Sequence, residues 1–206
     1  FAKQIVPFVR GCGFEPILSD SFVTTPSCSF YAKEVGCLGA LVITASHNPY
    51  NWLGLKIKSF NGCSVDESFT SEVEKRLMLG NSIEKIDGIN QLVDIKKFHL
   101  DRIKSLFDID YISKRLKKMK LRIFVDSMHG SAANCMAEIF ASNDLEVISE
   151  IRKDADPFFG GKPPEPLLNY ADDLKQILMK NSTNEVKTLG IIFDGDGDRI
   201  AAIDEK

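Results

Sequence analysis

Three carboxylates fall within five residues in Asp194-Gly-Asp196-Gly-Asp198-Arg199, directly after the apolar run Leu189 to Phe193. Packed together without a counter-ion they would repel one another. The intervening glycines carry no side chain and tolerate positive φ, so the loop can curl and aim all three carboxylates at one point. Hard oxygen ligands at this density suit Mg2+ or Ca2+ rather than a soft metal. A solvated acidic turn is the plainer alternative. A calcium loop of the EF-hand type is another, with the three aspartates at its first, third and fifth positions and Glu205 at its last. Its context fails: Arg199 stands where that loop requires Gly, and strand-like runs flank it where helices belong.

The second constellation is Thr44-Ala45-Ser46-His47-Asn48-Pro49, which follows the buried-looking run Gly39 to Thr44. A Ser at the end of such a strand, in a turn that Pro49 helps fix, presents its hydroxyl at the rim of the sheet, where α/β proteins bind ligands. Taken alone it reads equally well as a turn with a capping Ser. A hydrolase elbow is excluded, because Thr44 and Asn48 stand where that motif needs Gly. Gly11-Cys12-Gly13 lacks the last Gly of a dinucleotide loop, so a nicotinamide cofactor has no support. Together, the hydroxyl and the carboxylate loop suggest phosphoryl transfer. A phosphoserine carries roughly −1.5 to −2 charges, and a divalent ion shared between the aspartates and a phosphoryl oxygen would offset them. Lys56, ten residues after Ser46, could return to such a site, although a lone strand Lys is usually just solvated.

The elements that must position these residues alternate between β-branched runs and helical periods, the pattern of an α/β fold. The first half reads as an N-terminal helix, a short strand at Pro16 to Leu18, and a helix entered through Thr25-Pro26 and ended by Gly36. Strands at Gly39 to Thr44 and Leu55 to Ser59 follow, the second ending at the Asn61-Gly62 turn. Phe69, Val73 and Leu77 then define an amphipathic helix with Gly80 as its C-cap. Gly80 to Asp94 reads as a surface loop, and Leu100 to Met119 as one bent helix or two. The basic run Lys114 to Arg122 is better explained as helix-end cations than as a nucleic-acid patch. A domain boundary is placed here, giving units 1–115 and 116–206. The second unit shows strands at Leu121 to Val125, Leu145 to Ile151 and Leu189 to Phe193. Helices run through Ala132 to Phe140 and Tyr170 to Leu178, and Arg152 to Pro166 is an irregular Pro/Gly-rich loop. His129, on the turn after the Leu121 strand, has no partner at metal spacing and reads as structural; His99 reads as a helix-start residue.

Composition agrees with a folded, small-ligand protein. With 206 residues, 44% of them apolar, and a net charge of −3, the chain can bury a core but offers no broad field for nucleic acid or an anionic membrane. No apolar stretch approaches the roughly 20 residues that span a bilayer. Five cysteines form no C-x-x-C pair and no even set, which points to a reducing compartment, the cytoplasm, and argues against a structural zinc site. The chain opens at Phe1 without an initiator Met or leader, so it is expected to be a piece of something longer.

In Gly39 to Pro49 (GALVITASHNP) and Ile192 to Arg199 (IFDGDGDR) the sequence resembles the α-D-phosphohexomutases, the phosphoglucomutase/phosphomannomutase family. Thr25-Pro26 and Gly54-Leu55-Lys56 also sit where that family has its Thr-Pro and Asn-Gly-x-Lys segments. The resemblance implies two consecutive three-layer α/β domains with mixed sheets. It makes Ser46 the phosphorylated residue and a metal ligand, with Asp194, Asp196 and Asp198 binding Mg2+ and Arg199 lying against the phosphoryl group. His47 and Lys56 match positions implicated in proton transfer and phosphate contact; Lys56 could act as the base if its pKa were lowered. The implied activity interconverts hexose 1-phosphate and hexose 6-phosphate, of glucose or mannose, through a hexose bisphosphate. A phosphoglucosamine mutase of the same family is the alternative, and a Ca2+-binding module is one from another class. Leu53 departs from the family's Asn, while Phe158 to Pro166 (FFGGKPPEP) favours the glucose/mannose branch. Segments that the family uses to read the sugar and grip its second phosphate are not in this chain, which is therefore expected to turn over poorly alone.

Overall fold

A computed structural model describes residues 1–80, 82–140 and 147–204 of the chain. The first half contains α1 (Ala2–Gly11), β1 (Ile17–Ser19), α2 (Thr25–Val35), β2 (Gly39–Ile43), β3 (Leu55–Ser59), α3 (Glu67–Met78), β4 (Gln91–Val93) and α4 (Ile95–Leu106). Local chemistry sets several of these limits. The Thr24 hydroxyl accepts from Ser27 N at the start of α2, which ends in left-handed Gly36, and the Asp66 and Asp94 carboxylates cap α3 and α4 in the same way. These caps satisfy amides that a helix start otherwise leaves open. α3 ends at Leu79 rather than Gly80.

β1 pairs with β4 in parallel and β2 with β3 antiparallel. The segment read as a loop from Gly80 to Asp94 thus holds a strand, β4. Its three residues are too few to show a period, and it is defined by its neighbour, with Ile17 opposite Gln91. The Arg10 guanidinium draws the approach to it inward by donating to Gly88 O, Ile89 O and Asn90 Oδ1. A cleft of about 1940 Å³ in the first half is lined by Val6, Leu18, Val42, Ile57 and Phe69, among others.

Two helices, not one bent one, occupy the stripe that follows. The chain breaks at Phe107, and Asp108 caps α5 (Ile109–Lys118), whose last turn gathers Arg115, Lys117 and Lys118 at its negative end. The rest comprises β5 (Leu121–Asp126), α6 (Cys135–Phe140), β6 (Ile148–Ile151), α7 (Asp172–Asn181), β7 (Lys187–Phe193) and β8 (Ile200–Asp204). The first two residues of the strand expected at Leu145 to Ile151 lie outside the described residues. The four strands form one sheet in the order β6-β5-β7-β8, with β5 parallel to both neighbours and β8 antiparallel. Leu174 and Leu178 of α7 pack on one face, against Phe124, Met128 and Ile192. Leu116 of α5 and Met136 and Phe140 of α6 cover the other, against Val125, Val147 and Ile148. This is a three-layer α/β arrangement with a mixed sheet, as the sequence led us to expect.

Two polar contacts, partly shielded from solvent, brace the elements around the site. Asp126, fully buried at the end of β5, accepts both the Nε (2.7 Å) and the Nη2 of Arg152, the residue after β6. Between α2 and α4, His99 Nδ1 lies 2.8 Å from Ser27 Oγ, and its ring sits against Phe30 with centroids 5.2 Å apart. Burial holds the His99 pKa below its ordinary 6.5. The folded chain therefore takes up this proton less readily than the unfolded chain, and stability is lost as pH falls below about 6.5 and on through the lowered folded value. Urea titrations over about pH 7.5 to 5 should show this loss reduced in His99→Gln; equal pH slopes in the two proteins would show that His99 does not contribute to it.

Candidate active site

The hairpin loop 194–199 joins β7 to β8 at the end of the second sheet. Asp194 Oδ1 accepts the amides of Asp198 (3.0 Å) and Arg199 (3.1 Å), which folds the loop back on itself. Its glycines act for different reasons. Gly197 has φ +70° and also sits where a Cβ would come within 2.7 Å of Thr24 Cγ2. Gly195 has no positive φ; a Cβ there would lie 2.6 Å from the Ser46 carbonyl oxygen and 2.8 Å from Pro164 Cγ. Beneath it, Ser131 N donates to Gly195 O at 2.9 Å, and a Cβ on Gly130 would come within 2.6 Å of the same oxygen. Three backbones therefore meet at Gly195, and the motif's first glycine is a packing requirement.

Ser46 comes from the loop after β2 and has φ +55°, a conformation that costs an L-residue roughly 1–3 kcal/mol. Thr44 Oγ1 holds it there by accepting Ser46 N at 2.8 Å. Across the gap, Ser46 Oγ is 3.3 Å from Asp194 Oδ2 and 3.4 Å from Asp196 Oδ1. The three aspartates each offer an oxygen within 4.8 Å of the others, with Asp194 and Asp196 buried and Asp198 exposed. This all-oxygen set, facing a hydroxyl, fits a hard divalent ion such as Mg2+. The EF-hand alternative fails on structure as well, since β7 and β8 flank the loop where helices are required; Glu205 lies outside the described residues.

Lys56, on β3, reaches into this cluster and pairs with Asp196 Oδ2 at 2.7 Å and Asp198 Oδ2 at 2.5 Å. Burial alone would lower its pKa, but the hydrogen bonds and charges of Asp196 and Asp198 outweigh that and raise it. The condition under which Lys56 could be a base, a lowered pKa, is thus not met in this arrangement, where it is an ammonium counter-charge. The aspartates themselves diverge. Burial and its acidic neighbours push Asp194 upward against the pull of the Arg199 amide, whereas Lys56, Thr25 and Thr44 outweigh the burial of Asp196 and lower it.

Ser46, Lys56 and the three aspartates converge, and His47 and Arg199 stand at the margin. His47 Nε2 is 3.8 Å from Glu165 Oε1 of the Pro/Gly-rich loop, and its Nδ1 is buried without a hydrogen bond. Arg199 is fixed through its backbone, and its side chain is exposed. Sequence reasoning gave no role to Thr25, Thr44 or Glu165. A Thr before Pro at a helix entry reads as a cap, and nothing in the sequence shows that Thr24 does the capping while Thr25 faces another element.

Comparison with known proteins matches two consecutive parts of the chain. Residues 1–82 fit the sequence model of phosphoglucomutase/phosphomannomutase alpha/beta/alpha domain I, and residues 97–206 fit that of domain II. Phosphoglucomutase 1 of Drosophila melanogaster is 26% identical, with 100% of this chain and 41% of that protein covered. A phosphoglucosamine mutase of Prochlorococcus marinus is 29% identical, with 88% and 38% covered. The chain thus spans about two-fifths of the length of curated relatives such as these. Among solved structures, a candidate phosphomannomutase of Thermus thermophilus superposes with a TM-score of 0.81 at 23% identity, covering 98% of this chain and 44% of that one. The open form of parafusin, a Paramecium phosphoglucomutase, gives 0.71 at 24%, covering 89% and 39%.

The contact at Gly195 is open to a direct test. Gly195→Ala inserts a methyl between two backbones and should cost about 1–3 kcal/mol, read as a lowered urea midpoint, and should weaken Mn2+ binding in calorimetry. Unchanged values in both would mean that the loops do not meet as described.

Proposed function

The chain belongs to the phosphoglucomutase/phosphomannomutase family, the α-D-phosphohexomutases, and from that premise we propose that it supplies the phosphoryl-donor and metal-binding parts of an enzyme interconverting hexose 1-phosphate and hexose 6-phosphate. The observation that carries this reading is the approach of Ser46 Oγ to Asp194 and Asp196, at 3.3 and 3.4 Å, from the opposite half of the chain. A hydroxyl alone or a carboxylate loop alone has many uses; a hydroxyl aimed into a hard-cation site has far fewer. Glucose and mannose phosphates, with a hexose bisphosphate as the second small-molecule partner, are the substrates we favour, on the Phe158 to Pro166 loop. The division of the chain at residue 115 is part of this proposal, while the domain II sequence model begins earlier, at residue 97. The same reading also places the protein in the cytoplasm, consistent with five free thiols. No helix among the described residues is long and apolar enough to cross a membrane.

In the proposed cycle Ser46 carries a phosphoryl group. The O–P bond to Ser46 breaks as a bond forms from phosphorus to a free hydroxyl oxygen of the hexose phosphate, and the proton of that hydroxyl leaves to a base. The bisphosphate so formed reverses in the site and returns its other phosphoryl group to Ser46. Mg2+ held by Asp194, Asp196, Asp198 and Ser46 would supply positive charge where negative charge builds on the transferring group. The chain's own residues do the rest. The strained loop holds Ser46 Oγ facing the carboxylates, and the Lys56 ammonium pairs with two of them and offsets one of their charges. Lys56 can receive the sugar proton only after leaving Asp196 and Asp198 as a free amine; as placed, it can donate one to the oxygen of a departing group. His47, beside Glu165, is the other group with a titratable nitrogen at this rim, and the exposed Arg199 can reach the phosphoryl oxygens.

Incubating the full-length protein that contains this chain with a hexose bisphosphate and Mg2+ should add one phosphoryl group to Ser46, seen by intact mass and peptide mapping, and Ser46→Ala should abolish both the label and the mutase activity of that protein. Lys56→Met should retain a labelled Ser46 but slow turnover by roughly 10²- to 10⁴-fold, the span of lost acid–base catalysis. Full activity in Ser46→Ala would sink the mechanism.

A further inference from the structure

Resting on the reading of loop 194–199 as a metal site, we propose that Thr25 and Thr44 are positioning residues: they fix the carboxylate of Asp196 and tie the affinity of the metal site to the docking of the two halves of the chain. Thr25 is 2% exposed and grips one residue twice, its Oγ1 donating to Asp196 Oδ2 at 2.7 Å and its amide to Asp196 O at 2.8 Å. The amide is one of those that the start of α2 would otherwise leave without a partner. Thr44 Oγ1 donates to the same Oδ2 at 3.0 Å while accepting Ser46 N at 2.8 Å. With Lys56 Nζ also on Oδ2, at 2.7 Å, that oxygen is saturated.

The consequence is directional. A carboxylate with one oxygen held by three donors cannot rotate freely, so its other oxygen, Oδ1, is left to face Ser46 Oγ at 3.4 Å. The two hydroxyls come from the first half of the chain and the carboxylate from the second, so the orientation exists only while the halves are docked. Thr44 adds a second link, because one hydroxyl spans the loop that bears Ser46 and the loop that bears the aspartates. The base of the grip is itself fixed: Thr24 Oγ1 accepts Ser27 N, and Ser27 Oγ lies 2.8 Å from His99 Nδ1. Outer contacts of this kind set how well a ligand is aimed, and their loss typically weakens metal binding by roughly 10- to 100-fold.

The test titrates the protein with Mn2+ alone, following binding by calorimetry, and compares Thr25→Val, Thr44→Val and both together with the wild type. Val keeps the shape and removes the hydroxyl. Each single variant should lose roughly tenfold in Mn2+ affinity and the pair more, and Thr25→Ser and Thr44→Ser, which restore the hydroxyl, should recover most of it. If Thr25→Val does not fold, Thr44→Val and its Ser counterpart decide the matter alone. Affinity within twofold of wild type in folded Val variants, or Ser variants as weak as Val, would overturn the positioning role while leaving the metal site standing. A wild-type protein with no Mn2+ affinity would overturn the metal site as well.

Discussion

Three carboxylates with oxygens within 4.8 Å of one another, two of them on buried residues, cannot persist at the end of a β-strand unless opposite charge and hydrogen-bond donors come to them. The second half of the chain offers backbone amides to Asp194 but no described cation to the triad. The compensation comes from the first half: the Lys56 ammonium on Asp196 and Asp198, and two threonine hydroxyls on Asp196. Burial of a charge without such partners costs several kcal/mol, so the requirement acts as a docking force. It selects the relative placement of the halves that brings Ser46 to the same carboxylates. The groups that could do chemistry are brought together by the interaction that makes the fold tolerable.

Backbone packing then sets the spacing. Gly130, Gly195 and the Ser46 carbonyl stack too closely for any Cβ at the glycines, so the loops after β5, β7 and β2 form a continuous layer rather than separate protrusions. The Asp126–Arg152 pair braces the far side of that layer. It holds the turn after β5 through Met128 N on Asp126 Oδ1 and His129 N on Arg152 O. Left-handed φ values at Ser46, Met128, His129 and Arg152 fall in these same loops. Strain of this kind persists where surrounding contacts over-determine the backbone, and the buried ion pair and the stacked glycines supply that determination.

Much of this was legible in the sequence because it is local. The IFDGDGDR run states its own chemistry, the TASHNP run gains its meaning beside it, and the strands that carry them are strong apolar runs. Three strands of the second sheet follow from alternating periods, while β8 read only as a strand-like run beside the loop and the mixed sheet was implied by the family resemblance; the start of α2 at Thr25-Pro26 was correctly anticipated. What could not be read was relational. β4 is a strand only because β1 lies beside it. Gly195 looks like a hinge in sequence and is a contact point in space. Thr25 looks like a cap because the residue it serves is far along the chain. The raised pKa of Lys56 was hidden for the same reason: a strand lysine carries no sign of the two carboxylates that raise it.

The charge balance of the cluster also limits what it can accept. Three carboxylates and one ammonium leave two negative charges, the amount a single divalent ion offsets. The phosphoryl group proposed for Ser46 would add roughly −1.5 to −2 more, and no described side chain of the inner cluster remains to meet it. The cations left within the same loops are at the margin: Arg199, placed by its backbone beside Asp194 with its side chain exposed, and His47 when protonated beside Glu165. Under the proposed function, a site so balanced would hold its ion without strong excess charge of either sign, and would favour a phosphoryl group that arrives and leaves over one that is trapped. Under that proposal the balance would suit turnover over storage, and it accounts for a carboxylate-rich loop meeting one lysine among the described residues in a chain with no broad excess of basic charge.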